Sequence, residues 1–286
     1  FAVLNVLGSM LMLFSVTYLL PIVTSFIYSD GLFVDFIYAA LGCLAAGAGL
    51  VALTRRYKRE LRSRDGFLLV TLGWVLMSAI ATVPLLIALP GLSFTDAFFE
   101  TMSGLSTTGA TVLTGLDTMA PSLNLWRHAL NWYGGMGIIV LVVAILPMLG
   151  VGGMQLYKAE APGPVKDEKL TPRITQTARA LWFVYFLITL ACIGSLKLAG
   201  MNWFDAVCHA FATLALGGFS TYDASVGHFD SPAIEAVLIL FMLISAMNFA
   251  RHFIAWQQKS LRTYLTDVEA GAMLWIIGVS TAGVAL

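Results

Sequence analysis

The sequence predicts an all-α polytopic membrane protein in which a helix–re-entrant loop–helix unit is repeated. Three observations carry that reading. Hydrophobic residues make up 59% of the 286 residues and charged ones only 11%, where a soluble domain carries about 25% charge. Apolar runs long enough to cross a bilayer, which takes about 20 residues, alternate with short polar segments. One moderately apolar stretch between two such runs, residues 94–112, returns in register at residues 203–221.

Taken in order, residues 1–27 form a first apolar span and residues 32–54 a second, rich in Gly and Ala. Small residues let membrane helices approach closely. Residues 55–64 are the most basic stretch, a solvated linker or an anionic-lipid site. Residues 66–89 are the third span and 122–149 the fourth. A polar loop follows at 150–175, with Pro162, Pro164, Pro172 and the charges Lys166, Asp167, Glu168 and Lys169. Residues 176–199 are the fifth span, 231–256 the sixth, and 270–286 begin a seventh apolar helix. With Phe1 first and no basic region before the first apolar run, no cleavable signal peptide is read.

Lys and Arg lie in the linkers at 55–65, 150–175 and 257–267, whereas segments 28–31, 90–121 and 200–230 carry none. The positive-inside bias places the amino terminus and the basic linkers in the cytoplasm and brings the re-entrant loops in from outside. The outer segments carry Asp30, Asp96, Glu100, Asp117, Asp205, Asp223 and Asp230. They make either a cation-concentrating mouth or ordinary loop acids and helix caps. Net charge is zero, which gives no case for nucleic acid. Cys43, Cys192 and Cys208 show neither disulfide nor zinc spacing.

The repeat carries the chemistry. Setting Asp96 on Asp205 also sets Ala97 on Ala206, Gly109 on Gly218 and Thr111 on Ser220 without a gap. Each copy is a helix too short to span, followed by a loop of small residues. Irregular backbone at membrane depth is tolerated only when buried in protein or lining a water-filled cavity. A dehydrated monovalent cation is held by several carbonyl oxygens around one axis. Glycine takes positive φ without steric cost, which makes Gly109 and Gly218 the matched candidates for turning carbonyls one way. Thr107, Thr108, Thr111, Ser220 and Thr221 add hydroxyl oxygens, and the negative ends of the two short helices favour a cation.

The runs Glu-Thr-Met-Ser-Gly-Leu-Ser-Thr-Thr-Gly-Ala-Thr (100–111), Asn-Trp-Tyr-Gly-Gly-Met-Gly (131–137) and Leu-Gly-Gly-Phe-Ser-Thr (216–221) resemble the TrkH/TrkG potassium transport subunits of bacteria, within the Trk/Ktr/HKT superfamily. The resemblance covers essentially the whole chain. It implies helix–pore loop–helix units of potassium-channel type, four around one ion path, after an extra amino-terminal helix pair. On that reading residues 1–54 are the extra pair, 66–149 pore repeat 1, 176–256 pore repeat 2 and 268–286 the first helix of a third repeat, so the chain resembles the amino-terminal half or so of such a subunit. The filter segments fall on Thr107, Thr108, Gly109 and Ala110 and on Leu216, Gly217, Gly218 and Phe219. The resemblance implies that K+ would be held at Thr107, Thr108, Gly109, Leu216, Gly217 and Gly218, with Thr111, Ser220, Thr221, Glu100 and Arg127 in support. The resemblance further implies potassium uptake across the bacterial cytoplasmic membrane, a homodimer, a nucleotide-binding regulatory subunit of TrkA type and no organic cofactor. A serine at the first filter glycine favours sodium in related branches, so Gly109 argues for potassium over a sodium-permeable relative.

Arg127 and His128 either brace the pore helix, with Glu100 as the carboxylate partner, or snorkel to the interface. Gly134, Gly135 and Gly137 either pack helices or let the inner helix approach the filter. Arg251 reads as an interfacial anchor. His209 stands at the position of Glu100 with no evident role. The four histidines fall in separate segments without catalytic spacing, so an enzyme is not expected. A structural membrane protein is the remaining alternative, but it has no need of two glycine-centred loops in register.

Overall fold

The computed structural model describes residues 1–56, 63–145, 170–260 and 262–285, and these are helices, turns and two pore loops with no strand among them. Residues 57–62 of the basic linker, and most of the polar loop with Pro162, Pro164 and the charges at 166–169, lie outside the described residues. The helices are α1 (Ala2–Tyr28), α2 (Phe33–Thr54), α3 (Ser63–Ala81), α4 (Val83–Ala88), α5 (Phe94–Leu105), α6 (Pro121–Ile145), α7 (Leu170–Leu198), α8 (Trp203–Leu214), α9 (Pro232–Ala246), α10 (Phe249–Gln258), α11 (Arg262–Leu265) and α12 (Val268–Ala285). Among the described residues four are long and apolar enough to cross a membrane when α3 and α4 count as one: Ala2–Tyr28, Phe33–Thr54, Asp65–Ala88 and Arg179–Leu198.

α1 and α2 pack through glycine. A Cβ on Gly8 would lie 2.8 Å from the Gly47 carbonyl oxygen, and one on Gly47 would lie 2.7 Å from that of Gly8. The pair rests on the first repeat through one aromatic cluster, with Tyr18 stacked on Trp126 at 4.4 Å between ring centres. Both rings also repair a break. Pro84 supplies no N–H to the Ile80 carbonyl four residues back, so the Tyr18 hydroxyl donates to it at 3.1 Å. Trp126 Nε1 donates to the Ala81 carbonyl at 3.1 Å. Two amphipathic signals, aromatic surface and a polar tip, are thereby both satisfied.

The structure departs from the sequence reading in two places. The helix of the fifth span begins at Leu170, inside the expected loop, ahead of its membrane-crossing part Arg179–Leu198. Pro172 falls in its first turn, where no intrahelical N–H partner is needed. The expected single span at 231–256 is two helices, α9 and α10, bent by 92°. Met247 is extended (ψ 153°), and the Asn248 side chain caps α10 by accepting from the Ala250 N–H at 3.0 Å. His252 Nε2 returns to the Ile244 carbonyl at 2.9 Å, and its Nδ1 lies 2.9 Å from the Tyr264 hydroxyl. Arg251, expected as an interfacial anchor, pairs with the buried Asp267 at 3.2 Å.

Candidate functional site

The two short helices are built alike from different residues. Ser93 caps α5, accepting from the Asp96 N–H at 3.1 Å while donating to the Asp96 carboxylate at 2.7 Å. Asn202 caps α8, accepting from the Asp205 N–H at 2.8 Å and donating to the Asp205 carboxylate at 2.5 Å. Each helix has 12 residues, about 18 Å at 1.5 Å per residue, too short to cross the roughly 30 Å apolar core of a bilayer.

Their carboxyl ends close with one hydrogen-bond pattern. In the first, the Thr107 N–H donates to Gly104 O (3.0 Å) and the Thr108 N–H to Ser103 O (2.9 Å). In the second, Leu216 N–H donates to Thr213 O (3.1 Å) and Gly217 N–H to Ala212 O (2.9 Å). This is the Schellman pairing, and it demands a left-handed residue. Thr107 (φ 57°) and Leu216 (φ 55°) fill that position. Non-glycine residues are rare there, and a β-branched one is an outlier. Two residues later φ is positive again, at Gly109 (70°) and Gly218 (91°). The sequence reading found the glycines and missed the strained pair before them.

The loops touch. A Cβ on Gly109 would overlap the Gly217 carbonyl, so only hydrogen fits between them. α6 supports both from one face. A Cβ on Gly134 would overlap the Leu105 carbonyl at the end of α5, and one on Gly135 would lie 3.0 Å from Ala215 Cα at the end of α8. The glycines at 134 and 135 therefore bring this helix against both pore-helix ends.

The bracing of the loops is polar and buried. Glu100 and Arg127 are each 1% exposed, and Arg127 Nε lies 2.7 Å from Glu100 Oε1. Glu100 also accepts from the Thr111 hydroxyl at 2.9 Å and the Val112 N–H at 3.2 Å. The other guanidinium nitrogens donate to Asn124 Oδ1 (3.0 Å), Thr111 Oγ1 (3.3 Å) and Ser220 O (3.5 Å). The Phe219 ring lies 4.5 Å beneath. One arginine thus links the first pore helix to residues of both loops. At the corresponding position of the second repeat stands His209. Its Nδ1 lies 2.9 Å from the Asp205 carbonyl and its Nε2 3.1 Å from Ser220 Oγ. A carbonyl oxygen only accepts, so Nδ1 carries the proton and Nε2 receives the Ser220 hydroxyl proton. Glu100 to Thr111 and His209 to Ser220 are the same brace in different chemistry.

The outer acids serve the backbone. Asp223 accepts from the Gly115 N–H at 2.8 Å and the Leu116 N–H at 3.1 Å, and Asp117 accepts from the Asp223 N–H at 3.2 Å. Asp205, 2% exposed, accepts from the Thr221 hydroxyl at 2.7 Å and the Tyr222 hydroxyl at 2.9 Å. Partial burial, followed by the hydrogen bond and charge of Asp205, pushes the Tyr222 hydroxyl up to about 12, so it stays a donor. Asp30 accepts from Ser25 and from the N–H groups of Leu32 (3.3 Å) and Ser122 (2.9 Å). Of the sequence-derived loop residues, Thr108 bonds the Ser106 hydroxyl at 2.9 Å and the Ala110 carbonyl accepts from Ser103 at 2.6 Å.

Asn124, Ser103 and Asn131 were not singled out from sequence. The spacing of Asn124, Arg127, His128 and Asn131 along one face of an otherwise apolar helix is the signal, because polar residues at membrane depth are retained for function.

Comparison with known proteins agrees with this architecture. A family model described as TrkH, cation transport protein, matches residues 34–285. The Trk system potassium uptake protein TrkH of Halomonas elongata is 50% identical over 279 residues, which cover 97% of this chain and 58% of that protein. Its namesake in Escherichia coli K12 is 49% identical over 269 residues, covering 94% and 56%. The crystal structure of the potassium transporter TrkH from Vibrio parahaemolyticus superposes with a TM-score of 0.85 at 45% identity, covering 96% of this chain and 56% of that one. The chain therefore spans a little over half the length of these relatives. With a family model over most of its residues and a solved relative of the same fold, this chain belongs to the TrkH cation transport family.

Proposed function

We propose that this chain contributes the first two filter loops, Thr107, Thr108, Gly109 and Ala110 with Leu216, Gly217, Gly218 and Phe219, to the potassium path of a Trk-type uptake protein. The observation that carries the proposal is the matched backbone at 107–109 and 216–218. Positive φ recurs at alternate residues in both loops, so the two follow one backbone course. Carbonyls of such matched loops, turned to a common axis, replace the hydration shell of a monovalent cation without adding a fixed charge. Carbonyl and hydroxyl oxygens of the two loops are the ligand set that this reading requires. A sodium-favouring serine at position 109 is incompatible with the contact to Gly217.

Relatives named as parts of a Trk system support a multi-component assembly. A homodimer, a TrkA-type nucleotide-binding partner, a place in the bacterial cytoplasmic membrane and cytoplasmic basic linkers belong to the same proposal, supported by the resemblance and by the distribution of Lys and Arg. The test is growth at limiting potassium of cells lacking their own uptake systems, carrying the full-length parent. Rescue is expected. Parent protein that reaches the membrane yet gives no rescue and no Rb+ uptake overturns the assignment.

A further inference from the structure

Ser103, in the last turn of α5, is 4% exposed. A serine inside a helix that bonds backbone ordinarily returns its hydroxyl to the carbonyl one turn back. Ser103 reaches forward instead. Its Oγ donates to the Ala110 carbonyl, seven residues on, at 2.6 Å. The backbone carbonyl of the same residue accepts from the N–H groups of Thr108 (2.9 Å) and Gly109 (3.3 Å). One residue thus holds three peptide groups of the first loop: those joining 107 to 108, 108 to 109 and 110 to 111.

The two kinds of bond turn the loop in opposite senses. In a planar trans peptide the N–H and the C=O point opposite ways. The N–H groups of Thr108 and Gly109 face Ser103, so the carbonyls of the same two peptides, Thr107 O and Thr108 O, face away from the end of α5. At the third peptide the carbonyl itself is turned back to the helix. The second repeat keeps only the first device. The Ala212 carbonyl accepts from the Gly217 N–H at 2.9 Å, and the Ala212 methyl, which stands at the position of Ser103, has nothing to donate to Phe219.

We propose that Ser103 determines which carbonyls of the first loop meet the ion. Its own carbonyl turns those of Thr107 and Thr108 toward the path, and its hydroxyl holds that of Ala110 back from it. Ser103 is a positioning residue, not a ligand. Selection between monovalent cations depends on the size of the site and on the number and field strength of the carbonyls around it. An Ala110 carbonyl released from the hydroxyl can add an oxygen or let the loop close on the smaller Na+. The inference rests on the reading of residues 107–110 as a filter segment, and it takes Ala110 out of the ligand set.

The experiment uses the full-length protein in proteoliposomes and reads Rb+ and Na+ flux in the parent, Ser103→Ala, Ser103→Thr and Gly109→Ser. The alanine variant deletes the hydroxyl alone and installs the residue found at the matched position of the second repeat. It is expected to lower the Rb+/Na+ ratio by roughly 2–10-fold, the equivalent of one hydrogen bond. The threonine variant keeps the hydroxyl and restores most of the ratio. A merely structural serine lowers the amount of folded protein and leaves the ratio of the remainder at the parent value, which overturns the proposal. A full-length structure of the parent decides the geometry without any variant: an Ala110 carbonyl turned to Ser103 supports it, and one facing the ion overturns it. Gly109→Ser separates the two levels. If it changes the ratio while Ser103→Ala does not, only the role of Ser103 fails; if neither changes it, the filter reading fails as well.

Discussion

Removing the Arg127 guanidinium tests how the loops are held. The Arg127 and Glu100 side chains are 0% and 1% exposed, at 2.7 Å. Arg127→Leu leaves the Glu100 carboxylate with the Thr111 hydroxyl and the Val112 N–H but no counter-charge. Breaking a buried pair from one side costs about 3–5 kcal/mol, because an uncompensated charge stays behind. In Arg127→Leu/Glu100→Gln that charge is gone. What remains is the loss of the bonds to Asn124, Thr111 and Ser220, about 0.5–1.5 kcal/mol each, so the double variant is expected to cost about 1.5–4.5 kcal/mol. The double variant is therefore expected to cost no more than Arg127→Leu alone and well short of the sum of the two singles. Unfolding free energies of the four full-length proteins in mixed micelles measure these costs. A single variant that loses less than about 1 kcal/mol, the range of an exposed pair, or a double variant whose cost is the sum of the singles, refutes the reasoning.

Gly134→Ala sets a methyl onto the Leu105 carbonyl; overpacking of this kind costs about 1–3 kcal/mol, and it is expected to lower Rb+ uptake by displacing the end of α5. Gly8→Ala meets the Gly47 carbonyl at 2.8 Å in the amino-terminal pair, and it is expected to reduce the folded fraction while leaving the Rb+/Na+ ratio of the folded protein intact. Asp223→Asn turns one of the two N–H acceptors into a donor facing the Gly115–Leu116 amides, and lower protection of those amides in hydrogen exchange is the expected readout. At Asp30, partial burial raises the carboxyl pKa, but hydrogen bonds from Ser25, Ser122 and Leu32 outweigh it and leave the value below the ordinary 3.8. A depressed folded pKa stabilises above the unfolded value. Its contribution is thus present at neutral pH, and it is lost as pH falls below about 3.8 through the folded value; Asp30→Asn is expected to remove that part of the acid dependence.

The pore helices were legible because caps, apolar face and loop glycine repeat at one offset, so Asp96 and Asp205 mark helix starts in both copies. The Glu100–Arg127 bond was legible as one of two readings, since a charge in an apolar segment needs a partner and few were available. The left-handed residues at Thr107 and Leu216 were not, because neither residue type signals that conformation; the Schellman bonds impose it. The bend at Met247 was hidden because the apolar run from Ala236 to Met247 gives no break signal; the cap comes from Asn248 and the pin from His252, one turn later. The partners of Asp223 were not legible because the amides that it binds lie more than 100 residues away in sequence. Likewise His209 makes sense only once Ser220 is seen beside it.

The most direct test of the two-loop filter is the Rb+/Na+ flux ratio of the full-length protein carrying Gly109→Ser or Gly218→Ser, in cells without other potassium uptake. A hydroxymethyl group at 109 has no space against Gly217, and one at 218 is forced onto a φ of 91°. Both variants are expected to reach the membrane with a reduced ratio, the first more severely. A ratio equal to the parent's in both variants contradicts the claim that these loops select the ion.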